Sequence, residues 1–287
     1  MNLKNSLAVV VVLIIVYLGV SNSKTENNNR KFNFSYSVNF EPTDGKKFEA
    51  WIPYPQSNEV QNISNISINT DLKYEILSES KHGNKYVYLY ESDGLSTSVD
   101  FELTCDVDRI ENKTVEFSNV DQMNYLSGTS QVIVGSVFNN IISENNLSSN
   151  NMRNVYDYVL NGMHYGKPTD NADSKNYKYV HGGKNPNTGK EWLPDDVVYG
   201  RKQITKENLV KSQNKNEKYA YGNGNSLYAC DIGVGNCTDY HSYFISISRT
   251  MNVPARFHMG FPIPSGNEGK VGGYHCWADF YKDGEGW

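Results

Sequence analysis

Cysteine is scarce in this sequence of 287 residues. The four cysteines are Cys105, Cys230, Cys237 and Cys276. Small domains that depend on disulfides carry far more cysteine for their length, so this chain must fold around an apolar core instead. An aromatic content of 13% supplies such a core and argues against global disorder. A disulfide that joins Cys237 to Cys230 or to Cys276 stays open at this point.

Strong charge of either sign is also missing. The formal net charge is -5, and the chain has no long block of lysine and arginine. A protein that binds nucleic acid through its phosphates needs a basic surface, so we predict no nucleic-acid partner. A zinc site would have to combine Cys230, Cys237, His241 and His275, whose spacing is not of the usual kind. We therefore predict no metal and no cofactor.

The longest apolar run is short for a full membrane span, which takes about 20 apolar residues. It covers residues 7–20, follows Lys4 and precedes two small serines. This pattern predicts a signal peptide or an N-terminal anchor at 1–23, followed by a polar spacer at 24–30. The protein is then secreted, periplasmic, or anchored on the outer face of a membrane through residues 7–20.

Residues 31–118 have the pattern of short β-strands. Apolar and polar residues alternate along the first of them. One face of that strand carries Phe32, Phe34, Tyr36, Val38 and Phe40. Similar stretches follow, separated by turn signals such as the Asp-Gly pairs at 44–45 and 93–94. This arrangement predicts an antiparallel β-sandwich domain over 31–118.

The spacing of apolar residues becomes helical near residue 119. The segment after residue 150 has them at positions i, i+3, i+4, i+7 and i+11, which are Met152, Val155, Tyr156, Val159 and Met163. We predict a second, α+β domain over 119–287 that opens with helices. Residues 166–218 are polar and show no sustained periodicity, so they predict a long insertion within this domain.

The stretch GNCTDYHSYF at 235–244 places Cys237 at the predicted start of a helix. Apolar residues follow at helical spacing, and they are Tyr240, Tyr243, Phe244, Ile247 and Met251. Asn236 or Thr238 can cap the first turn. Free backbone N–H groups and the helix dipole favour an anion there, which suits a nucleophilic thiolate and the oxyanion of an acyl-transfer intermediate.

Cysteine catalysis also needs a base, and three histidines follow Cys237 along the chain. They are His241, His258 and His275. His241 lies on the same predicted helix, with its ring along the helix surface. His275 lies on an alternating strand, where it shares one face with Trp277. A histidine on a strand that faces a cysteine at a helix start is the papain-type arrangement, so we predict that His275 is the base.

These motifs together resemble the transglutaminase-like superfamily. The shared elements, in order, are Gly235, Cys237, Asp239, Arg249, Pro-Ala-Arg at 254–256, Gly-Phe at 260–261, His-Cys-Trp at 275–277 and Gly-Trp at 286–287. The segments SLYACDIGVGNC, RNVYDYVLNGMHY and WIPYPQ resemble the exported bacterial branch of that superfamily. The resemblance implies an α+β fold. An antiparallel β-sandwich precedes a papain-like α+β domain, which has the cysteine on a helix N-terminus and the histidine on an antiparallel sheet.

The resemblance also implies catalytic roles. Cys237 is the expected nucleophile and His275 the expected general base. The third catalytic residue of the family is an aspartate just beyond the Gly-Trp pair, so we expect this chain to be a fragment with impaired activity. Asp279 and Asp283 are nearby carboxylates, but neither occupies the family position.

Further residues are expected to support the site. Asp239 caps or braces the helix in this interpretation, and Trp277 forms a wall beside the site. Tyr228 and Asn223 are expected to line the cleft. The remaining candidates are expected to be structural, and they are Arg249, Arg256, Cys230 and Cys276.

The expected chemistry is the attack of a thiolate on an amide carbonyl of a protein or peptide substrate, which gives a thioester acyl-enzyme. Water as the acceptor makes the protein a peptidase or amidase, and an amine as the acceptor makes it a transamidase. The alternative is an exported binding or scaffold protein whose transglutaminase-like domain is catalytically inactive.

Overall fold

The structure is a computed structural model, and its chain divides into two compact units. It describes residues 15–19, 29–111, 114–135, 137–166, 186–187, 189, 196–199, 202–205 and 218–287. One unit holds the described residues as far as Val120 together with Phe261–Tyr274. The other holds Asp121–Gly260, where described, and His275–Trp287. The predicted α+β class, with mainly antiparallel pairing, is confirmed.

The first unit is a sandwich of two antiparallel sheets. Its strands are β1 (Ile15–Gly19), β2 (Asn29–Phe40), β3 (Phe48–Pro53), β4 (Gln61–Thr70), β5 (Tyr74–Ser78), β6 (Lys85–Glu91) and β7 (Val99–Ile110). One sheet has the strand order β1-β2-β7-β4, and the other has the order β3-β6-β5. Strands of both sheets contribute to a single apolar core, which is the arrangement expected of a sandwich.

The core of this unit follows from alternation along the strands. Phe32, Tyr36, Val38 and Phe40 of β2 are buried, as their period of two predicts. From the facing sheet, β6 contributes Val87 and Leu89, which are fully buried. The next residues of the core come from β7, and they are Phe101, Leu103, Cys105 and Val107. Phe34 is only partly buried and packs at the margin of the core.

The segment Phe261–Tyr274 belongs to a different unit from the one predicted from sequence. The sequence assigned it to the second domain, yet it packs with the sandwich. Val271 is buried in the sandwich core, and the ring of Phe261 lies 5.3 Å from that of Phe34. The Arg30 side chain donates hydrogen bonds to the carbonyl oxygens of Pro264 and Gly266. These contacts are distant in sequence, so local periodicity carries no sign of them.

The second unit is built from helices and short sheets. After a 3-10 turn at Gln122–Tyr125, its helices are α1 (Val137–Glu144), α2 (Met152–Gly162), α3 (Ser226–Ile232) and α4 (Cys237–Thr250). Its strands are β8 (His164–Tyr165), β9 (Asp196–Tyr199), β10 (Lys202–Thr205), β11 (Val234–Gly235), β12 (Ala255–Gly260) and β13 (His275–Phe280). β12 pairs with β13 and β9 with β10, both antiparallel, and β11 pairs with β8 in parallel.

The core of the second unit confirms most of the helical pattern. Met152, Val155 and Val159 of α2 are buried, together with Met163 just after the helix. Tyr156 was wrongly placed on that face. It is 48% exposed, and the guanidinium of Arg153 lies 5.0 Å from its ring centre. The tyrosine occupies an i+4 position at the edge of the apolar stripe, where an amphipathic ring can face water.

The polar stretch at 166–218 contains regular structure that the sequence did not predict. β9 and β10 form an antiparallel hairpin inside it, with Tyr199 opposite Lys202. Its strands contain the β-branched residues Val197, Val198 and Ile204, which favour extended structure. Apart from residues 186–187 and 189, the rest of the predicted insertion before residue 218 lies outside the described residues.

The predicted signal or anchor segment is described only at β1. These residues pair with β2, with Ile15 opposite Ser37. The rest of residues 1–23, and most of the spacer, lie outside the described residues. Among the helices that the structure describes, none is long and apolar enough to cross a membrane. The N-terminal signal stays a prediction.

Candidate active site

Cys237 is the first residue of α4, as its sequence context predicts. The side chain of Asn236 caps the helix and accepts hydrogen bonds from the backbone N–H groups of Thr238 (2.9 Å) and Asp239 (3.4 Å). Asp239 completes a capping box, because its carboxylate accepts from the N–H of Asn236 at 3.0 Å. Cys237 is 9% exposed, so its sulfur sits at a fixed, nearly enclosed helix start.

Asp239 also attaches a glycine-rich loop to the helix start. Its two carboxylate oxygens accept from the backbone N–H groups of Gly222 (2.8 Å) and Gly224 (3.2 Å). Gly224 has a φ of +65°, and a Cβ there would lie 2.9 Å from the Thr238 Cγ2 atom. The loop can therefore approach α4 this closely only with glycine at that position. Asp239 therefore braces the helix start at which Cys237 lies.

The environment of Asp239 changes its ionisation. Burial raises the pKa of this carboxyl to about 6, although the N–H groups of Gly222, Asn236 and Gly224 act in the opposite direction. The ordinary value is 3.8. The folded state therefore binds the proton of Asp239 more tightly than the unfolded state does, and folding favours the protonated form.

This difference predicts a pH dependence of stability. We expect the free energy of unfolding of the wild type, relative to that of Asp239→Asn, to increase by up to about 3 kcal/mol as pH falls from about 6 to about 4. Above pH 6 and below pH 4 the difference between the two proteins should stay constant. Urea unfolding of both proteins from pH 4 to pH 8 measures it. A difference that grows as pH rises would contradict the assigned ionisation.

Two histidines lie near the start of α4. His241 is one turn after Cys237, and burial lowers the pKa of its imidazole. The backbone of Cys237 acts against that shift, and the charge of His275 adds to it. The ring of His275 is therefore within electrostatic range of His241. His275 is exposed as the first residue of β13, opposite Gly260 of β12.

Cys276 is the β13 residue that contacts the start of α4. Its sulfur lies 3.7 Å from the Thr238 hydroxyl, and the residue is fully buried. Burial raises the pKa of Cys276 to about 11; the Thr238 hydroxyl opposes this shift and the sulfur of Cys237 adds to it. Cys276 is thus a neutral thiol near pH 7. The Cα atoms of adjacent residues on a strand lie less than 4 Å apart. The contact of Cys276 with Thr238 therefore also places the backbone of His275 near the start of α4.

The face of the β12–β13 pair opposite to Cys276 carries a partly buried polar network. Arg256 donates two hydrogen bonds to the carboxylate of Asp279, at 2.8 and 2.9 Å. The His258 Nε2 atom lies 3.0 Å from the same carboxylate. Burial raises the pKa of Asp279, but His258 and Arg256 outweigh it, so the pKa is below its usual value. Asp279 is therefore engaged by Arg256 and His258, while Asp283 is exposed in the following turn.

The other predicted residues have separate positions. Trp277 is 40% exposed, and its ring stacks on that of His258 at 5.3 Å. Tyr228 is fully buried and packs edge-on to Tyr219 at 5.5 Å, so it lies inside the unit and not along a cleft. Asn223 belongs to the glycine-rich loop beside Asp239. Its carbonyl oxygen accepts a hydrogen bond from a side chain that is distant in sequence.

That side chain belongs to Gln131, which no sequence motif identifies. Its amide donates to the carbonyl of Asn223 at 3.0 Å, and its Oε1 atom accepts from Asn225 at 3.1 Å. Its own carbonyl accepts from the N–H of Ser226 at 2.9 Å. Gln131 lies 92 residues before Asn223 along the chain. No local signal could have revealed this second brace of the loop.

The sequence predicts structural roles for Arg249, Cys230 and Cys276. Arg249 donates to the carbonyl oxygens of Ser127 and Ala255, which is a structural role. All four cysteines lie in the described part of the chain, and none of them forms a disulfide. In the described residues no group of histidine, cysteine and acidic side chains has the geometry to hold a metal ion.

The geometry therefore defines an α+β protein with an enclosed cysteine at a helix start and histidines at the same end. The sequence profile of the transglutaminase-like superfamily matches residues 195–287, which include all of these residues. This part of the chain is similar to the core of that superfamily, and the resemblance drawn from the motifs is confirmed.

One solved structure supports this fold, and a second is similar at a lower score. One from Cytophaga hutchinsonii, described as a candidate cysteine protease, has a TM-score of 0.53 at 13% identity, covering 95% of this chain and 74% of that one. The periplasmic domain of TgpA from Pseudomonas aeruginosa has a TM-score of 0.44 at 12% identity, covering 96% of this chain and 88% of that one. No curated protein matches the sequence.

Proposed function

We propose that this chain is an exported cysteine enzyme that breaks amide bonds of a protein or peptide substrate through a thioester on Cys237. The observation that carries the proposal is the position of Cys237, enclosed at the first residue of α4 and fixed by the capping box of Asn236 and Asp239. The match of residues 195–287 to the transglutaminase-like superfamily supports it. So does the description of the C. hutchinsonii protein as a candidate cysteine protease.

The first step is attack of the Cys237 thiolate on the substrate carbonyl. The carbon–sulfur bond forms, and the carbonyl oxygen becomes an oxyanion near the first turn of α4. Backbone N–H groups at a helix start stabilise such an anion, because they are oriented and are not used inside the helix. The rigid brace from Asp239 to Gly222 and Gly224 keeps this turn in place, so little reorganisation accompanies the reaction.

His275 is the general base in this proposal. It receives the proton of the Cys237 thiol and then protonates the departing amine. His275 is exposed, and its neighbour Cys276 contacts Thr238 at the helix start, which supports this role. His241 is less exposed than His275, and burial lowers the pKa of its imidazole, so we assign it a supporting role. Asp279 is occupied by Arg256 and His258 and does not orient His275.

The acceptor decides the class of the overall reaction. Water releases an acid and completes hydrolysis, while a primary amine gives a new amide and completes transfer. The apolar run after Lys4 supports export of the protein, since it has the composition and length of a signal segment. The enclosed Cys237 favours an enzyme over an inactive scaffold, because a binding protein gains nothing from a braced thiol.

A casein peptide mixture, with and without a dansylated primary amine, tests the proposal. New peptide termini report hydrolysis, and dansyl incorporation reports transfer. We expect the wild type to give one of these products and Cys237→Ala to give neither. Turnover that survives in Cys237→Ala, or no product from the wild type in either assay, would overturn the proposed function.

A further inference from the structure

The two sheets of the sandwich present different faces to solvent. The outward face of the four-stranded sheet is polar, as is usual for a solvated sheet face. On that face Asn33 bonds to Asp106 at 3.1 Å, and Asn39 bonds to Asp100 at 2.7 Å. This outward face of the four-stranded sheet is therefore covered with amide and carboxylate groups.

The three-stranded sheet presents aromatic rings instead. Its outward face carries Trp51 on β3 and three tyrosines at alternate positions of β6, namely Tyr86, Tyr88 and Tyr90. We name these four residues the aromatic platform. The ring of Tyr88 lies 5.5 Å from that of Trp51 and 6.3 Å from that of Tyr90. Trp51 is 58% exposed and Tyr90 is 42% exposed, so the row of rings is open to solvent.

Fixed polar groups adjoin these rings. The Tyr88 hydroxyl donates to the Glu49 carboxylate at 2.8 Å, and Lys47 pairs with the same carboxylate at 2.8 Å. The Lys47 ammonium also lies 5.4 Å from the centre of the Tyr90 ring. The platform thus combines exposed aromatic faces with a carboxylate, a hydroxyl and an ammonium held at its rim.

The size of the platform limits its occupant. A Tyr or Trp side chain offers about 150–250 Å², so the exposed part of these rings amounts to roughly 300–400 Å². A stable protein interface uses about 800 Å² on each partner, so a second copy of the chain is too large an occupant for this patch. An extended peptide binds a sheet mainly by pairing with an edge strand, and β6 is the central strand, between β3 and β5.

We propose that the aromatic platform binds a polysaccharide chain made of β-linked pyranose units. A pyranose ring has a face of C–H groups, which packs on the electron-rich face of an aromatic ring. Its edge carries hydroxyl groups, which can donate to Glu49 and accept from Lys47. An extended chain of such rings is flat and narrow, and it matches a flat row of aromatic rings on one sheet. This binding is independent of the proposed reaction at Cys237.

Isothermal titration of the full chain with cellohexaose, chitohexaose and mannohexaose tests the proposal. We expect saturable binding of at least one of them at millimolar or lower concentration. Trp51→Ala and Tyr90→Ser should each weaken that binding at least tenfold, because each removes an exposed ring. Both residues are largely exposed, so circular dichroism should show both variants folded.

Asn39→Ala is the matched control, because Asn39 lies on the polar outward face of the other sheet. It should bind as the wild type does. The absence of saturable binding to all three sugars would overturn the proposal, and so would binding that Trp51→Ala leaves unchanged. A proline-rich decapeptide is titrated in parallel. Tighter binding of that peptide than of every sugar, lost in Trp51→Ala, would assign the platform to peptides and contradict the proposal.

Discussion

Cys237→Ala should lower amide turnover by roughly 10⁴-fold or more, because losses of this size accompany removal of the nucleophile in covalent acyl-transfer enzymes. No other side chain at the start of α4 can take its place. The nearby Cys276 is fully buried, and its pKa is raised to about 11, so it is a neutral thiol near pH 7. The measurement is kcat/KM on the best casein peptide from the product assay.

The loss of turnover in Cys237→Ala must come from the missing thiol and not from unfolding of the protein. Replacement of cysteine by alanine removes only the sulfur atom, which costs about 1 kcal/mol and changes the Tm by only a few degrees. Cys230→Ala is the matched control, since Cys230 lies on α3 and outside the capping box. It should keep turnover within about twofold of the wild type. Equal losses in both variants would contradict the assigned nucleophile.

Arg256→Ala should have the largest effect on folding of any single side-chain truncation in the β12–β13 pair. The guanidinium is buried, binds both oxygens of Asp279, and lies 4.1 Å from the centre of the Trp287 ring. Its removal leaves a partly buried carboxylate with only His258 beside it. Breaking a fully buried pair costs about 3–5 kcal/mol, and we expect this partly buried one to cost about 3 kcal/mol or somewhat less. Chemical unfolding of the two proteins at pH 7 measures the difference.

Two control variants separate the effect of burying the Arg256–Asp279 pair from the effect of its charge. Arg153 forms an exposed ion pair with Asp157 at 3.0 Å, and its replacement by alanine should cost about 0.5 kcal/mol or less. Asp279→Asn in the Arg256→Ala background should cost much less than either replacement costs alone, because the unpaired charge is gone. A loss near that of Arg153→Ala, or full additivity of the double variant, would show that Arg256 is not a buried ionic anchor.

The start of α4 could be predicted from sequence because its determinants are local. Asn236 precedes the helix and Asp239 follows three residues later, which is the pattern of a capping box. The alternation of β2 is equally local, and four of the five residues on its predicted face are buried, while Phe34 is partly buried. Tyr156 shows the limit of the method, since a period of 3.6 does not define how wide the buried stripe is.

The partners of the site could not be predicted because they are set by register and by distant segments. The pairing of Arg256 with Asp279 depends on the register of β12 against β13, which a single strand pattern does not specify. The contact of Cys276 with Thr238 depends on how that pair packs on α4. Gln131 braces its loop from 92 residues away. Such contacts become visible only when the chain is folded.

The most direct test of the central claim is the rate at which iodoacetamide alkylates each of the four thiols in the folded chain, followed by peptide mass mapping. Cys230 is more exposed than Cys237, while Cys105 and Cys276 are almost fully buried. Accessibility alone would therefore make Cys230 react first. If Cys237 is the nucleophile, it should react first and by at least tenfold, because the nucleophilic cysteine of an acyl-transfer enzyme is its most reactive thiol. Faster reaction of Cys230, or equal rates at both, would contradict that assignment.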